Sequence, residues 1–305
     1  AGDQVWTTPL TFAGTINPAV LMGAEVSFVD VETSYWQLDV DQLKERLEKS
    51  EDQVPLVVPV SLGGTPYDLH RLAQLKEQYE FKIVVDQCHA LGGKYDGQKV
   101  GSAHWAEAEI VSFHALKHVT TGEGGAILTN DKALYDRLLL LRNNGIQSST
   151  DDPWYDVEAC GLNYQITDFQ AALGRSQLKR LDQHVERRRS LSRLYARLIT
   201  ELGSDAVELW IAGTEVGHAA HLLVIGVPQR DQVHRLMKQR GVGTNFHYRP
   251  LHQHAAFRGA VQNHSYPNSD HYGRRALSLP LYPDLKETDV RRVVETLGQV
   301  LNQLD

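Results

Sequence analysis

Two residues in the first half of the 305-residue chain combine a reactive type with surroundings that could put it to use. Lys117 lies in SFHALKHVTTGEGG (residues 112–125), just past an apolar run and just before a Gly-rich turn. A lysine that attacks a carbonyl carbon must offer a free amine, so it needs a partly desolvated, positively biased pocket that lowers its pKa. Most lysines are simply solvated, and taken alone Lys117 would be read that way. Asp86 shifts the balance. It ends the apolar run of VVDQCHALGG (84–93), where a carboxylate is costly to bury without a partner. A protonated pyridine nitrogen is one such partner: an aspartate beside it keeps the ring cationic, so the ring can accept the electron pair left when a Cα proton is removed. A helix N-cap is the alternative for Asp86 standing alone.

Residues of this kind need elements that end where they sit. From Gln4 to Asp30 the pattern gives strand, helix, strand, and Leu38, Leu43 and Leu47 then space out a short amphipathic helix. PLVVPV (55–60) reads as a buried strand, and Asp68 caps a helix carrying Leu69, Leu72 and Leu75. FKIVVD (81–86) and AEIVSF (108–113) are two more apolar strands, and GGAILTN (124–130) contains another. Helices alternating with such strands predict an open, mainly parallel α/β sheet. Sheets of that type collect ligands at the carboxyl ends of their strands, where Asp86 and the segment after Phe113 fall. Helices are expected over 132–142 and, as one long connector, over 167–200. HLLVIGVP (221–228), a helix over 231–240, a loop-rich stretch over 241–285 and a terminal helix from Glu287 describe a smaller α/β unit.

Composition sets the class. With 42% hydrophobic and 23% charged residues the chain can bury a substantial core, and a net charge of -7 gives no electrostatic reason to expect nucleic acid as a partner. Cys88 and Cys160 are far apart and form no CxxC pattern, so neither a disulfide framework nor a zinc site is expected, and a reducing, cytoplasmic setting fits. No apolar stretch is long enough to span a bilayer, so no membrane partner is expected. His252 and His254 lack accompanying carboxylates or cysteines at ligand spacing and read as a polar loop, with no metal.

The order strand-Asp-x-x-His-Ala-x-Gly, then SFHxxK with TGEGGA, then GLNYQITDFQAALGRSQL resembles the DegT/StrS family of pyridoxal-phosphate (PLP) sugar aminotransferases. The likeness runs from AGDQVWTTPLTF through HYRPLH and LSLPLYPDLKETDV, nearly the whole chain. It implies the PLP-dependent transferase fold (aspartate-aminotransferase fold type I), with a large cofactor domain over 1–190 and a small C-terminal domain over 191–305. It implies PLP as cofactor, Lys117 as the Schiff-base lysine and Asp86 as the partner of the pyridine nitrogen. By the same resemblance His89 stands near the phenolic oxygen, Ser112 bonds the cofactor phosphate and Phe12 stacks on the ring. Asn163 is implied to reach the phosphate of a neighbouring subunit's cofactor, hence a homodimer. His247, Tyr248 and Arg249 fall in a loop near the sugar. Phe12, Ser112, His89 and Asn163 also have plain readings, as core, strand, backbone-satisfied and capping residues.

The implied reaction transfers an amino group from glutamate to a keto group of a nucleotide-linked sugar. Within the family, HALKHVTTGEGGA, the Trp154-Tyr155 segment and NFHYRPLH most resemble enzymes acting at C4 of a UDP-4-keto-6-deoxy-N-acetylhexosamine. Dehydratase members carry histidine where this sequence has Lys117. Members ordinarily carry a further N-terminal segment whose helix cradles the cofactor phosphate. The sequence begins after it, which leaves a second expectation open: a shortened, non-catalytic protein with weak or no cofactor binding.

Overall fold

Five apolar runs in the first part of the chain become parallel strands, and the helices between them carry their leucines to the sheet. The computed structural model describes residues 1–49, 56–148, 154–215, 217–257 and 265–304. The first unit is strand β1 (Gln4–Thr7), helix α1 (Asn17–Leu21) and strand β2 (Glu25–Phe28). Helix α2 (Val40–Lys49), strand β3 (Leu56–Val58), helix α3 (Leu69–Tyr79) and strand β4 (Lys82–Asp86) follow. Pro55, expected in the third strand, lies outside the described residues. Strands β5 (Lys94–Tyr95) and β6 (Gln98–Lys99) pair only with each other, β7 (Ala108–Ser112) returns to the main sheet, and β8 (Gly125–Leu128) follows it.

The six-stranded order is β2-β1-β3-β4-β7-β8, parallel except for the last pair. On one face Leu43, Leu47, Leu69 and Leu72 pack with Trp6, Val57, Ile83 and Val85. Burying each such side chain contributes about 1.5–3 kcal/mol. Asp68 caps α3 as the sequence predicts, accepting from the Arg71 N–H at 3.1 Å. Because Asp86 pairs with Ile110 in register, the carboxyl ends of β4 and β7 lie side by side.

Helix α4 (Lys132–Arg142), the hairpin of β9 (Ile146–Ser148) with β10 (Tyr155–Val157), and helices α5 (Asp168–Leu178) and α6 (Leu181–Leu202) come next. The single helix expected over 167–200 is therefore two. The chain leaves helical geometry at Arg180 (φ −107°, ψ 1°), where no glycine or proline marks a break. The start of α5 is a full capping box, Thr167 with Gln170.

Strands β11 (Glu208–Ile211), β12 (Leu223–Gly226) and β13 (Ala276–Leu279) form an antiparallel sheet, covered by α7 (Arg230–Gln239) and α9 (Glu287–Leu301). The stretch expected to be loop-rich also holds α8 (Pro267–Arg275) and β13. Leu181 and Val185 of α6 lie against Gly92 in the first part of the molecule, whereas Leu191, Tyr195 and Ile199 enter the second core. A domain division at 190/191, inside this helix, stands as our proposal.

Two features join the parts. In the turn Leu62–Gly64, Gly63 O accepts from the N–H groups of His221 and Leu222 (both 3.0 Å) and Gly64 O accepts from Ala219 N–H (2.8 Å). A Cβ on Gly64 (φ +101°) would sit 2.9 Å from both His221 N and His89 O, so only glycine lets these segments approach this closely. At the end of β2, the buried Asp30 carboxylate accepts from the N–H groups of Asn268 and Ser269, both at 2.9 Å, and so caps α8 from a distance. Tyr272 of that helix donates to His247 O at 2.7 Å, which places the loop that enters the cavity described next. Among the described residues no helix is long and apolar enough to cross a membrane.

Candidate active site

The joined carboxyl ends of β4 and β7 open into a cavity of about 1240 Å³. Its lining includes Phe12, Asp86, His89, Ser112, Lys117, His247 and Tyr248, seven of the nine residues singled out from the sequence. Arg249 and Asn163 are not in it: Arg249 is exposed and donates to Gln253 O at 3.0 Å, and Asn163 is exposed and accepts from Gln165 N–H at 3.4 Å.

Lys117 sits in the turn after β7 and is half-buried. Burial pushes its amine pKa below the ordinary lysine value, while Cys88 and Asp86 pull it the other way. Asp86 is braced on both oxygens. Oδ1 accepts from Cys88 N–H (3.0 Å) and Oδ2 from Thr15 Oγ1–H (2.7 Å). Since the Thr15 hydroxyl spends its proton on Asp86, the 2.6 Å partner Thr11 Oγ1 must be the donor to Thr15. The chain Thr11 to Thr15 to Asp86 fixes the carboxylate with a charge-assisted bond. Both threonines escaped the sequence reading, although their i, i+4 spacing in TFAGT was a signal.

The opposite side is made of imidazoles. His89 and His221 rings lie 4.4 Å apart between centroids, and His221 and His118 5.1 Å apart. Burial drives all three pKa values down, His118 to about 3, with Lys117 or Arg188 pressing the same way, so the rings are neutral. Neutrality, with the hydrogen bonds present, fixes the tautomers of His89 and His118. The Gly63 N–H donates to His89 Nδ1 at 3.3 Å, so the ring proton is on Nε2 and points to Tyr248 Oη at 3.1 Å. The Tyr248 hydroxyl hydrogen is thereby left for the cavity, and burial, then Asp86, raises its pKa so that it stays protonated. His118 Nε2–H donates to Ala219 O at 2.8 Å. His247, with a pKa pushed down to about 4 chiefly by burial, holds Ser278 Oγ through Nδ1 at 2.8 Å.

Ser112 Oγ accepts from His114 N–H at 3.2 Å, which leaves its own hydrogen free to donate. Phe12 is 65% exposed, unusual for a ring that size, and it presents an open face to the cavity beside Tyr248, 6.1 Å away. A lysine amine whose pKa burial lowers, a braced carboxylate, a neutral polar wall and an open aromatic face together suit a flat, anionic, carbonyl-bearing heteroaromatic ligand.

Comparison with known proteins decides the family. The model of the DegT/DnrJ/EryC1/StrS aminotransferase family matches residues 1–298. This chain belongs to that family. The UDP-4-amino-4,6-dideoxy-N-acetyl-beta-L-altrosamine transaminase of Campylobacter jejuni is 30% identical over 98% of this chain and 80% of its own length. Among solved structures, Helicobacter pylori PseC, an aminotransferase involved in the biosynthesis of pseudoaminic acid, superposes with a TM-score of 0.92 at 24% identity, over 99% of this chain and 80% of PseC. Spr1654 of Streptococcus pneumoniae in its PLP form gives a TM-score of 0.88 at 25% identity, over 100% of this chain and 82% of Spr1654. The fold is thus that of PLP-dependent sugar aminotransferases, and the chain is an enzyme of that class with PLP as its cofactor. The residues lining the cavity fit PLP: the donor hydroxyl of Ser112 suits its phosphate, the braced Asp86 a ring N–H, and the depressed Lys117 amine its carbonyl carbon.

Proposed function

We propose that this enzyme moves an amino group from glutamate to the keto group of a nucleotide-linked sugar, with C4 of a UDP-4-keto-6-deoxy-N-acetylhexosamine as the acceptor position. The observation that carries the reading is the half-buried Lys117 amine, its pKa lowered by burial beside the braced Asp86. The choice of sugar is supported by the Campylobacter relative, whose own name specifies a UDP-linked 4-amino sugar.

When bound, PLP supplies a carbonyl carbon for a Schiff base and an electron sink for the carbanion left at the donor's Cα. Lys117 would hold the cofactor at that carbonyl carbon and, as a free amine, would hold and move the proton at the donor's Cα. Asp86 would hold a proton on the ring nitrogen, and Thr15 and Thr11 hold Asp86. Phe12 would pack against the cofactor, Ser112 would donate to its phosphate, and His89, which passes its Nε2–H to Tyr248, would stand near its phenolic oxygen. His247 and Tyr248 line the space left for the sugar, and Arg249 stands at its outer loop.

A homodimer completes the proposal. Leu162, Tyr164, Ile166 and Phe169 run exposed into the start of α5, with Phe169 at 90%, and an apolar strip of this kind marks an interaction face. A second copy covering it would bring Asn163 toward the partner's cavity. A cytoplasmic setting agrees with two unpaired cysteines. Borohydride reduction of the PLP-loaded protein followed by peptide mapping tests the central claim: the label is expected on Lys117, and a label on another lysine would remove it from the reaction.

A further inference from the structure

Helix α6 carries three consecutive arginines, and their surroundings differ in one respect. Arg187 has Glu287 at 3.7 Å, and Arg189 has Glu186 at 3.9 Å. Arg188 lies between them, only 6% exposed, and among the described residues it faces no carboxylate. Its Nη1 donates to Leu281 O (2.8 Å), His221 O (3.3 Å) and Ala220 O (3.5 Å), while its Nε is buried with no partner. Burial alone lowers its pKa, to about 10, so it remains a cation at neutral pH without a counter-ion. A buried guanidinium in that condition is costly unless an anion meets it.

The cavity is where that anion can come from. Arg188 lines it, together with Lys117, His221 and Tyr282. His118 and His221 feel the positive charge of both Lys117 and Arg188, so the two cations flank the same imidazoles. We propose that Arg188 recognises a carboxylate group of the amino donor. The inference rests on the aminotransferase reading above, since it needs an amino acid in this cavity. A donor whose amino group reaches Lys117 carries its α-carboxylate on the same carbon, so a carboxylate is delivered to this depth in every turnover. The planar fork of a guanidinium matches a carboxylate in two-point contact. A sugar-nucleotide diphosphate is the other anion available. It is bulkier and more strongly hydrated, and a side chain 6% exposed is poorly placed to strip it of water.

The experiment uses PLP-loaded wild type, Arg188→Lys and Arg188→Met. Three readouts are taken: the cofactor absorbance change on adding glutamate alone, the shift in Tm produced by glutarate as an unreactive dicarboxylate, and the shift produced by UDP. Expected for Arg188→Met are a donor half-reaction slowed about 30-fold or more, as on truncating one partner of a buried charge pair, and loss of the glutarate shift, with cofactor absorbance and the UDP shift retained. Arg188→Lys keeps the charge without the fork and should fall between. An unchanged donor half-reaction in both variants overturns the proposal. So does equal loss of the glutarate and UDP shifts, which would make Arg188 a structural peg holding 220, 221 and 281, or loss of the UDP shift alone, which would assign the diphosphate. If wild type responds to glutarate in an Arg188-dependent way but no amino acid changes its cofactor absorbance, the carboxylate site stands and the aminotransferase reading fails.

Discussion

The two walls of the cavity are polar in different ways. The strand-end wall carries Asp86, Ser112 and Lys117 from adjacent ends of β4 and β7, and its groups are charged or keep a free hydrogen. The imidazole wall, His89 and His221 with Tyr248 and with the His118 ring against His221, is neutral, and the bonds of the His89 and His118 nitrogens to backbone and to Tyr248 fix where the protons of those two rings lie. The other side offers hydrogen bonds from neutral rings, with the buried Arg188 guanidinium held against the backbone of His221 behind them.

The largest effect should come from the charged wall. Lys117→Ala is expected to lower turnover by about 10³-fold or more, because it removes the residue proposed as both proton carrier and nucleophile. Thermal stability should stay near wild type, since the substitution takes away a partly desolvated amine. Release of 2-oxoglutarate from glutamate measures the first and calorimetry the second. A variant that keeps a substantial fraction of wild-type turnover would move the chemistry to another residue.

The neutral wall should respond to pH through stability instead. His118 has a folded pKa near 3 and His247 near 4, His89 and His221 are also lowered, and the neighbouring His218, buried against Thr65, lies near 3, all mainly by burial. Between those values and the unfolded value of about 6.5, the unfolded chain binds more protons than the folded one. Stability is therefore complete above about pH 6.5 and is lost as pH falls through that value toward the folded pKa values, by up to about 1.4 kcal/mol per pH unit for each such histidine. Urea unfolding at pH 7.5, 6 and 5 checks this. A flat profile would show that the rings are charged or solvated in the folded protein.

The same division explains what could be read in advance. Asp86 and Lys117 stand at or just past the ends of apolar runs, so strand periodicity put them at neighbouring strand ends, Ser112 was singled out by the family resemblance, and the sheet's core leucines followed from helical spacing. The imidazole wall is assembled by the contact of Leu62–Gly64 with residues 219–222, and no local pattern links His89 to His221 or Tyr248. Arg188 was equally silent, because RRR reads as a solvated helix face until burial separates its middle member from the flanking pair. The break at Arg180 was missed for a related reason: it has no glycine or proline to mark it.

Smaller changes can separate positioning from chemistry on each wall. Thr15→Val removes the 2.7 Å bond to Asp86 Oδ2 and leaves Cys88 N–H on Oδ1. A hydrogen bond to a charged group is worth about 1.5–3 kcal/mol, so turnover should fall about 10- to 150-fold. Thr15→Ser, which keeps the hydroxyl, should recover most of it. Equal loss in both variants would mean that the methyl group's packing, rather than the bond, supports Asp86.

Tyr248→Phe should have the smallest effect. It removes the acceptor of His89 Nε2–H, and His89 cannot switch its proton to Nδ1 because that nitrogen already accepts from Gly63 N–H. The ring proton is then left facing the cavity, where water or substrate can take it, so the cost is that of one neutral hydrogen bond, about 1 kcal/mol, or roughly a fivefold change. If Tyr248 serves the sugar, the loss appears in the KM of the acceptor and leaves the reaction with glutamate alone unchanged. If it serves only to orient His89, both half-reactions slow together, and the imidazole wall acts on the cofactor and not on the substrate.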